Sequence, residues 1–263
     1  MARRETPVVL AVGGSDPTCG AGVQSDLRTL EAFGVQPATV VTAITVQDGS
    51  RVHCFEAVGV GLVGAQLDRI AQALPVAVVK CGMLARAAIV AAVARRVGRW
   101  GVPLVVDPVL AASGGEPLGE RRLAHALIER LFPLATVVTA NLAEAERLSG
   151  MPVRDPAEMA AAARALADLG AAAVVIKGGH LDGDPIDVLW DGRRILRFPG
   201  ARIQARDLHG SGCAFASALA AGLARRRALA RSVAEAGAHV RMLIAGARAT
   251  ATGGWLRSPP RSC

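Results

Sequence analysis

The chain has 263 residues, 52% of them hydrophobic and 20% charged, with a net charge of +8 at pH 7. That length accommodates one large α/β domain with a well-buried core, and charged residues interrupt every apolar run before the ~18 residues a membrane span needs. The basic residues are scattered, aromatics are only 3% and no nucleic-acid-binding motif accompanies them, so a nucleic-acid partner is not expected.

Met1 to Pro7 carries two arginines and no long apolar segment, which argues against a secretory signal and leaves the cytoplasm as the default. Val8 to Val12 then reads as a buried strand, followed by a glycine-rich turn and a helix over about Val23 to Phe33. Ala38 to Thr45 is a second strand, and Arg51 to Val58 reads as a short strand pair. A helix over about Leu62 to Leu74 follows, with Leu62, Leu67, Ile70 and Leu74 near helical spacing. Val76 to Val79, Leu104 to Val106, Thr136 to Val138 and Ala173 to Ile176 are short apolar runs of parallel-sheet type. Helical stretches lie between them, at Ala85 to Val97, Glu120 to Phe132, Asn141 to Leu148 and Pro156 to Leu169. Ile186 to Trp190 and Arg194 to Phe198 read as a β-hairpin across Asp191-Gly192-Arg193. Two Ala-rich helices close the pattern, at about Ser211 to Arg225 and Leu229 to Ala247. The alternation predicts a three-layer α/β/α sandwich around a mostly parallel sheet, spanning residues 1–249 as a single domain. Residues 250–263 read as a flexible tail. In such folds, sites lie off the C-terminal ends of the strands.

Several strand ends carry candidate chemistry. Only two of the 30 basic residues are lysines, Lys80 and Lys177, and both follow apolar strand-like runs and precede Cys81-Gly82 and Gly178-Gly179. A compact ammonium fits beside one phosphate in a tight turn where an arginine fork does not. His209-Gly210-Ser211-Gly212-Cys213 opens an apolar helix, so its N–H groups and the helix dipole favour an anion. The dipole would also lower the pKa of the Cys213 thiol toward neutrality and let it accept a proton from an attacking hydroxyl. The same residues fit a plain glycine turn with Cys213 as a small core residue. Gly13 to Gly22 matches neither a Walker loop nor a dinucleotide fingerprint. It leads to Asp26, which reads either as an acceptor for a substrate hydroxyl or as a solvated carboxylate complementing the helix dipole. Asn141 and Glu144 share a helical face; they can support a hydrated Mg²⁺ or form a capping box, and the two roles are compatible. Asp107-Pro108 ends another strand, where a carboxylate would meet the metal. The five cysteines (Cys19, Cys54, Cys81, Cys213, Cys263) are odd in number and lack C-x-x-C spacing, which speaks against a disulfide framework and a structural zinc site.

Taken in order, these segments resemble the hydroxymethylpyrimidine/phosphomethylpyrimidine kinases of the ribokinase-like superfamily, from about Val8 to Ala245. The motifs that carry the resemblance are GGSDPTCGAGVQSDLRTLEAFGV, VVTAITVQD, VVKCGML, LVVDPVLAASGG, TANLAEAERLSG, VVIKGGHLDGD and HGSGCAFASALAAGLA. The resemblance implies a ribokinase-like fold, usually a homodimer. The activity it implies is ATP- and Mg²⁺-dependent phosphorylation of 4-amino-5-hydroxymethyl-2-methylpyrimidine (HMP) and then of its monophosphate. Carried over, Gln47 would read the pyrimidine edge, with Gly14, Asp26, Thr45, Met83 and Val109 lining the same pocket. Asn141 and Glu144 match the metal/phosphate motif, with Asp107 and Glu144 near the metal through water. Lys177 would contact ATP phosphate, and Gly210, Ser211, Gly212 and Cys213 would form the anion hole, with Cys213 as base.

The sequence departs from the family at Cys19, where Gly is usual, and at Asp48, where Asn is usual. It also departs at Ser113, where Lys or Thr is frequent, and at Ala140, where Pro is usual. The family's Gly-Pro-containing C-terminal segment is absent, with Gly253-Gly254-Trp255-Leu256 in its place. Alternative readings are a pyridoxal/pyridoxamine kinase of the same fold, a kinase restricted to the monophosphate, and a non-catalytic pyrimidine-binding protein.

Overall fold

A computed structural model of the protein describes residues 6–112, 114–203, 208–251 and 255–256. Its elements in chain order are β1 (Val8–Ser15), α1 (Gly22–Ala32), β2 (Gln36–Gln47), β3 (Val52–Ala57), α2 (Val60–Ala73), β4 (Val76–Cys81), α3 (Ala87–Val97) and β5 (Leu104–Val106). There follow α4 (Leu123–Arg130), β6 (Val137–Asn141), α5 (Leu142–Ser149), α6 (Pro156–Asp168), β7 (Val174–Lys177), β8 (Ile186–Trp190), β9 (Ile195–Pro199), α7 (Ser211–Ala224), α8 (Leu229–Ala245), β10 (Arg248–Ala249) and β11 (Trp255–Leu256). Nine strands make one sheet in the order β3-β2-β1-β4-β5-β6-β7-β8-β9. The six from β2 to β7 run parallel, while β3, β8 and β9 pair antiparallel at the two ends.

The alternation of side chains along a strand divides the core in two. Val8, Leu10 and Val12 face the layer of α2, α3, α4, α5 and α6, whereas Val9 and Ala11 face α1, α7 and α8. Both faces of the central strands are therefore covered, which is why those strands read as unbroken apolar runs. Ala214 through Gly222 of α7 are all buried. An Ala-rich helix apolar on every side can lie flat against the sheet and still be covered by α8.

Three segments differ from the sequence-based expectation. Residues 52–57 form one strand rather than a pair, antiparallel to β2. The turn between them is closed by Asp48, whose Oδ1 accepts from Ser50 N–H, Ser50 Oγ and Arg51 N–H. The helix expected to reach Phe132 stops at Arg130 and gives way to a 3-10 turn over Phe132–Leu134, because Pro133 has no N–H to continue it. The strand expected to end at Val138 runs on to Asn141, so that one residue both ends β6 and caps α5. Ser113, Gly253, Gly254 and Cys263 lie outside the described residues, as does most of the segment expected to be a tail; the described Trp255–Leu256 pairs antiparallel with Arg248–Ala249.

Candidate active site

Because β1, β2, β4, β5, β6 and β7 are parallel, their C-terminal ends fall on one edge of the sheet. That edge gathers Asp16 beyond β1, Gln47 on β2, Gly82-Met83 beyond β4, Asp107 beyond β5, Asn141 on β6 and Lys177 on β7. The N-terminus of α7 reaches the same place.

The charged centre is a Lys177–Asp107 pair, with Nζ 2.8 Å from Oδ1. Thr139 Oγ1 donates to the same oxygen at 3.1 Å, which leaves Asp107 Oδ2 without a hydrogen bond among the described residues. Gly212 lies directly opposite: a Cβ there would stand 3.2 Å from Lys177 Nζ and 3.8 Å from Asp107 Oδ2. A side chain at 212 would fill the space over the ammonium. The N–H groups of Gly212 and Cys213, in the first turn of α7, have no intrahelical acceptor and are free for an anion.

Asn141 and Glu144 form the capping box anticipated from their spacing: Glu144 N–H donates to Asn141 Oδ1 at 2.8 Å, and Asn141 N–H to Glu144 Oε2 at 2.8 Å. Burial pushes the Glu144 carboxyl up to about 7 against the opposing pull of the Lys177 charge; Asp107 pushes in the same direction as burial, and the N–H groups of Asn141 and Leu110 pull it down. Among the described residues no group of three or more His, Cys, Asp or Glu is placed to hold a metal. The donor set, one available Asp107 oxygen and a nearby Glu144, therefore fits a cation held mainly by water and phosphate oxygens, which is the habit of Mg²⁺ and not of a caged structural metal.

The two glycine motifs are tied together by a contact that local sequence reading did not find. Asp16 is buried and accepts from Thr18 N–H, Thr18 Oγ1, Ala21 N–H and His209 Nε2, the last at 3.0 Å across 193 residues. Burial works against its charge, but the His209 contact and the backbone donors win, holding the carboxyl below its usual range. Gly210 completes the junction, with φ of +79° and so little room that a Cβ would collide with Gly20 O. The only sequence signal was the presence of a polar residue in each turn.

Apart from Asp26, the residues that the family resemblance assigns to the pyrimidine lie at the ends of β1, β2, β4 and β5. A Cβ on Gly14 would meet Met83 Sδ at 2.9 Å, so the thioether lies flat on that backbone. Thr45 Oγ1 donates to Ser15 O at 2.9 Å and accepts from Gln47 Nε2 at 2.7 Å, which holds the Gln47 amide over the end of β2. Val109 is half-buried just past Asp107.

Two expected roles change. Asp26 is neither a solvated carboxylate nor open to a substrate hydroxyl. It has no exposed surface, Oδ1 accepts from Lys80 Nζ and Ser217 Oγ, and Oδ2 accepts from Lys80 Nζ. Cys213 is not activated by its helix position. Burial pushes its thiol up to about 11, outweighing the downward pull of Lys80 and of the Gly22 N–H, while Asp26 and Asp107 push it further up. Near neutral pH only about one molecule in ten thousand would carry the thiolate, so the free protein holds no standing base at this position.

A cavity of about 170 Å³ lies on the Lys177 side of the site, between β8–β9 and α8, and neither sequence pattern nor motif pointed to it. Asp187, Phe198, Pro199, Val233, Gly237 and Arg241 line it. Asp187 links it to the centre by accepting from Gly178 N–H at 3.0 Å, directly after Lys177.

This arrangement has relatives. The chain matches the phosphomethylpyrimidine kinase family over residues 16–256. It belongs to that family. A hydroxymethylpyrimidine/phosphomethylpyrimidine kinase of Rhizobium meliloti is 44% identical over 244 residues, 92% of each chain. Among solved structures, a Staphylococcus aureus pyridoxal kinase in complex with AMP-PCP superposes with a TM-score of 0.89 at 31% identity, covering 96% of this chain and 93% of its own. A phosphomethylpyrimidine kinase of Clostridium difficile superposes with a TM-score of 0.79 at 28% identity, covering 90% and 99%. The protein is thus a kinase of ribokinase-like architecture, as the sequence motifs implied.

Proposed function

We propose that this kinase transfers the γ-phosphoryl group of ATP to the hydroxymethyl oxygen of HMP, and then to the phosphate of the resulting monophosphate, giving the diphosphate used in thiamine biosynthesis. The observation that carries the reading is the Lys177 ammonium, fixed by Asp107 next to the side-chain-free Gly212 at the head of α7. In the transfer, the substrate oxygen bonds to the γ-phosphorus as the bond to the ADP oxygen breaks, and with HMP the hydroxyl proton leaves through a Cys213 thiolate formed in the substrate complex. Lys177 and the N–H groups of Gly212 and Cys213 neutralise the charge on the moving group. Asp107 and Glu144 would hold the water shell of a bound Mg²⁺, whose charge would further neutralise the phosphate oxygens. The cavity bounded by Phe198, Val233 and Gly237 takes the nucleobase, since it adjoins the lysine that meets the phosphates.

Gln47, Thr45, Met83, Val109 and Gly14 hold the pyrimidine, and Asp26 acts behind them rather than on the ring. Cys213 contributes its N–H and its thiol to the anion hole; a base role requires that the thiolate arise only in the substrate complex. HMP monophosphate is already ionised and needs positioning alone. Residues 1–249 are taken as one kinase domain, acting as a homodimer. The exposed Ile44 and Val46 (60% and 55%) beside Thr45 and Gln47 mark the face on which to test the dimer. No helix among the described residues is long and apolar enough to cross a membrane. The free thiols of Cys19, Cys54, Cys81 and Cys213 suit a reducing cytoplasm.

The close superposition on a pyridoxal kinase supports a second reading, turnover of pyridoxal at the same site. ADP release with Mg²⁺ and ATP, measured separately with HMP, HMP monophosphate and pyridoxal, separates the two. Both pyrimidines should be turned over with higher kcat/KM than pyridoxal. A preference for pyridoxal would replace the first reading with the second, and binding of HMP without ADP release would defeat both.

A further inference from the structure

Lys80, which the kinase reading leaves unused, is among the largest fully buried side chains of the protein. Its Nζ meets Asp26 at 2.8 and 2.9 Å, both side chains are 1% exposed, and Ser217 Oγ donates to Asp26 Oδ1 at 2.7 Å. The location of this cluster follows from helix register. α1 starts at Gly22 and α7 at Ser211, and the two helices pack on one another. Asp26 lies four residues after Gly22, and Ser217 four residues after Cys213, so each sits one turn further along the same helix face. The Asp26–Ser217 bond therefore lies about 5 Å deeper along these helices than Gly22 and Cys213. Lys80 rises between the two helices from β4, and a Cβ on Gly82, beside the pocket residue Met83, would come within 3.0 Å of its Nζ.

We propose that Lys80, Asp26 and Ser217 form a positioning unit for the phosphoryl-transfer centre, in which this buried cluster, one helical turn below Cys213, sets the place and reactivity of the Cys213 thiol. Sealed from solvent, the unit cannot touch phosphate itself. It fixes the spacing of α1 and α7 beneath the anion hole and supports the Gly82-Met83 floor. The charged groups facing Cys213 are Lys80 from β4, Asp26 from α1, Asp107 beyond β5 and Lys177 from β7. Of these groups, Lys80 and Asp26 are each 1% exposed, whereas Lys177 is 13% and Asp107 3% exposed. The kinetic part of this inference rests on the kinase reading; the thiol part stands without it.

The test is the rate of Cys213 alkylation by iodoacetamide from pH 7 to 10, in the full chain with Cys19, Cys54 and Cys263 changed to Ser, followed alongside kcat and KM for the pyrimidine that is turned over. Asp26→Asn leaves the Lys80 charge uncompensated and should speed alkylation at pH 8 several-fold. Lys80→Met/Asp26→Leu removes the charges together and should slow it several-fold, because the pull of Lys80 outweighs the push of Asp26. Loosened packing would speed both, so opposite signs support the proposal, and equal signs or an unchanged profile overturn it. Ser217→Ala keeps both charges and serves where a charge variant does not fold. A several-fold lower kcat at unchanged KM supports the positioning role, and wild-type kinetics with a wild-type alkylation profile overturn it.

Discussion

The protein contains two lysines, each paired with an aspartate, and the two pairs have opposite surroundings. At the mouth of the site, Lys177 is 13% exposed and Asp107 3%, with an open glycine over the ammonium. Beneath it, Lys80 and Asp26 are both 1% exposed, and Asp26 also accepts from Ser217 Oγ. Similar bond lengths thus serve different ends. A pair with an open side can turn its cation toward an incoming phosphate. A closed pair can act only through the groups it fixes, and it carries the full desolvation penalty of two charges.

The largest expected effect breaks the closed pair. Lys80→Met strands the Asp26 carboxylate in the core and should cost about 3–5 kcal/mol of stability by denaturant titration. Replacing both partners by apolar residues should recover most of that. An equal loss in single and double variants would mean that packing volume, and not charge, is what the site requires.

Next comes the carboxylate beside the open pair. Glu144 has its folded pKa raised from 4.5 to about 7. Between those values the folded state binds the extra proton, so the stabilisation is complete below pH 4.5 and disappears as pH rises through 7. The wild type should lose up to about 3 kcal/mol of stability from this group over that window, and Glu144→Gln should lack that part of the slope. Denaturant midpoints at pH 5 and 8 give the answer; parallel slopes in the two proteins would show that Glu144 is not held neutral.

Closing the open pair is a smaller perturbation. Gly212→Ala places a Cβ 3.2 Å from Lys177 Nζ and should lower kcat/KM for ATP by about tenfold with little change in Tm. Full activity would mean that phosphate does not approach over that glycine. The smallest effect lies in the turn that frames the site. Cys19 holds φ of +59°, a left-handed conformation in an exposed position where the family usually has glycine. Cys19→Gly should stabilise the protein by about 0.5–1 kcal/mol, and a loss of stability would show that the cysteine side chain contributes to the turn.

Features set by neighbours in the chain were legible in the sequence. The apolar runs gave the strands because the sheet is covered on both faces, and the Asn141–Glu144 spacing gave its capping box because both partners lie within one turn. The scarcity of lysine marks Lys80 and Lys177 in the sequence. Their partners were not legible, since Asp26 is 54 residues from Lys80 and Asp107 is 70 from Lys177. The Asp16–His209 link was hidden for the same reason. Cys213 shows how tertiary context reverses a local rule. Its helix position argues for a lowered pKa, but burial dominates and moves it the other way. Asp26 follows the same pattern, because a carboxylate early in a helix gives no sign of the buried cation that meets it.

The central claim is that the open pair, Lys177 with Asp107, meets the transferring phosphate. Its most direct test is ADP release from Mg²⁺-ATP with HMP, comparing the wild type with Lys177→Met, while HMP affinity is followed separately by calorimetry. A kcat/KM for ATP reduced roughly 10²–10³-fold with HMP affinity unchanged is the predicted result. Wild-type turnover by Lys177→Met would contradict it.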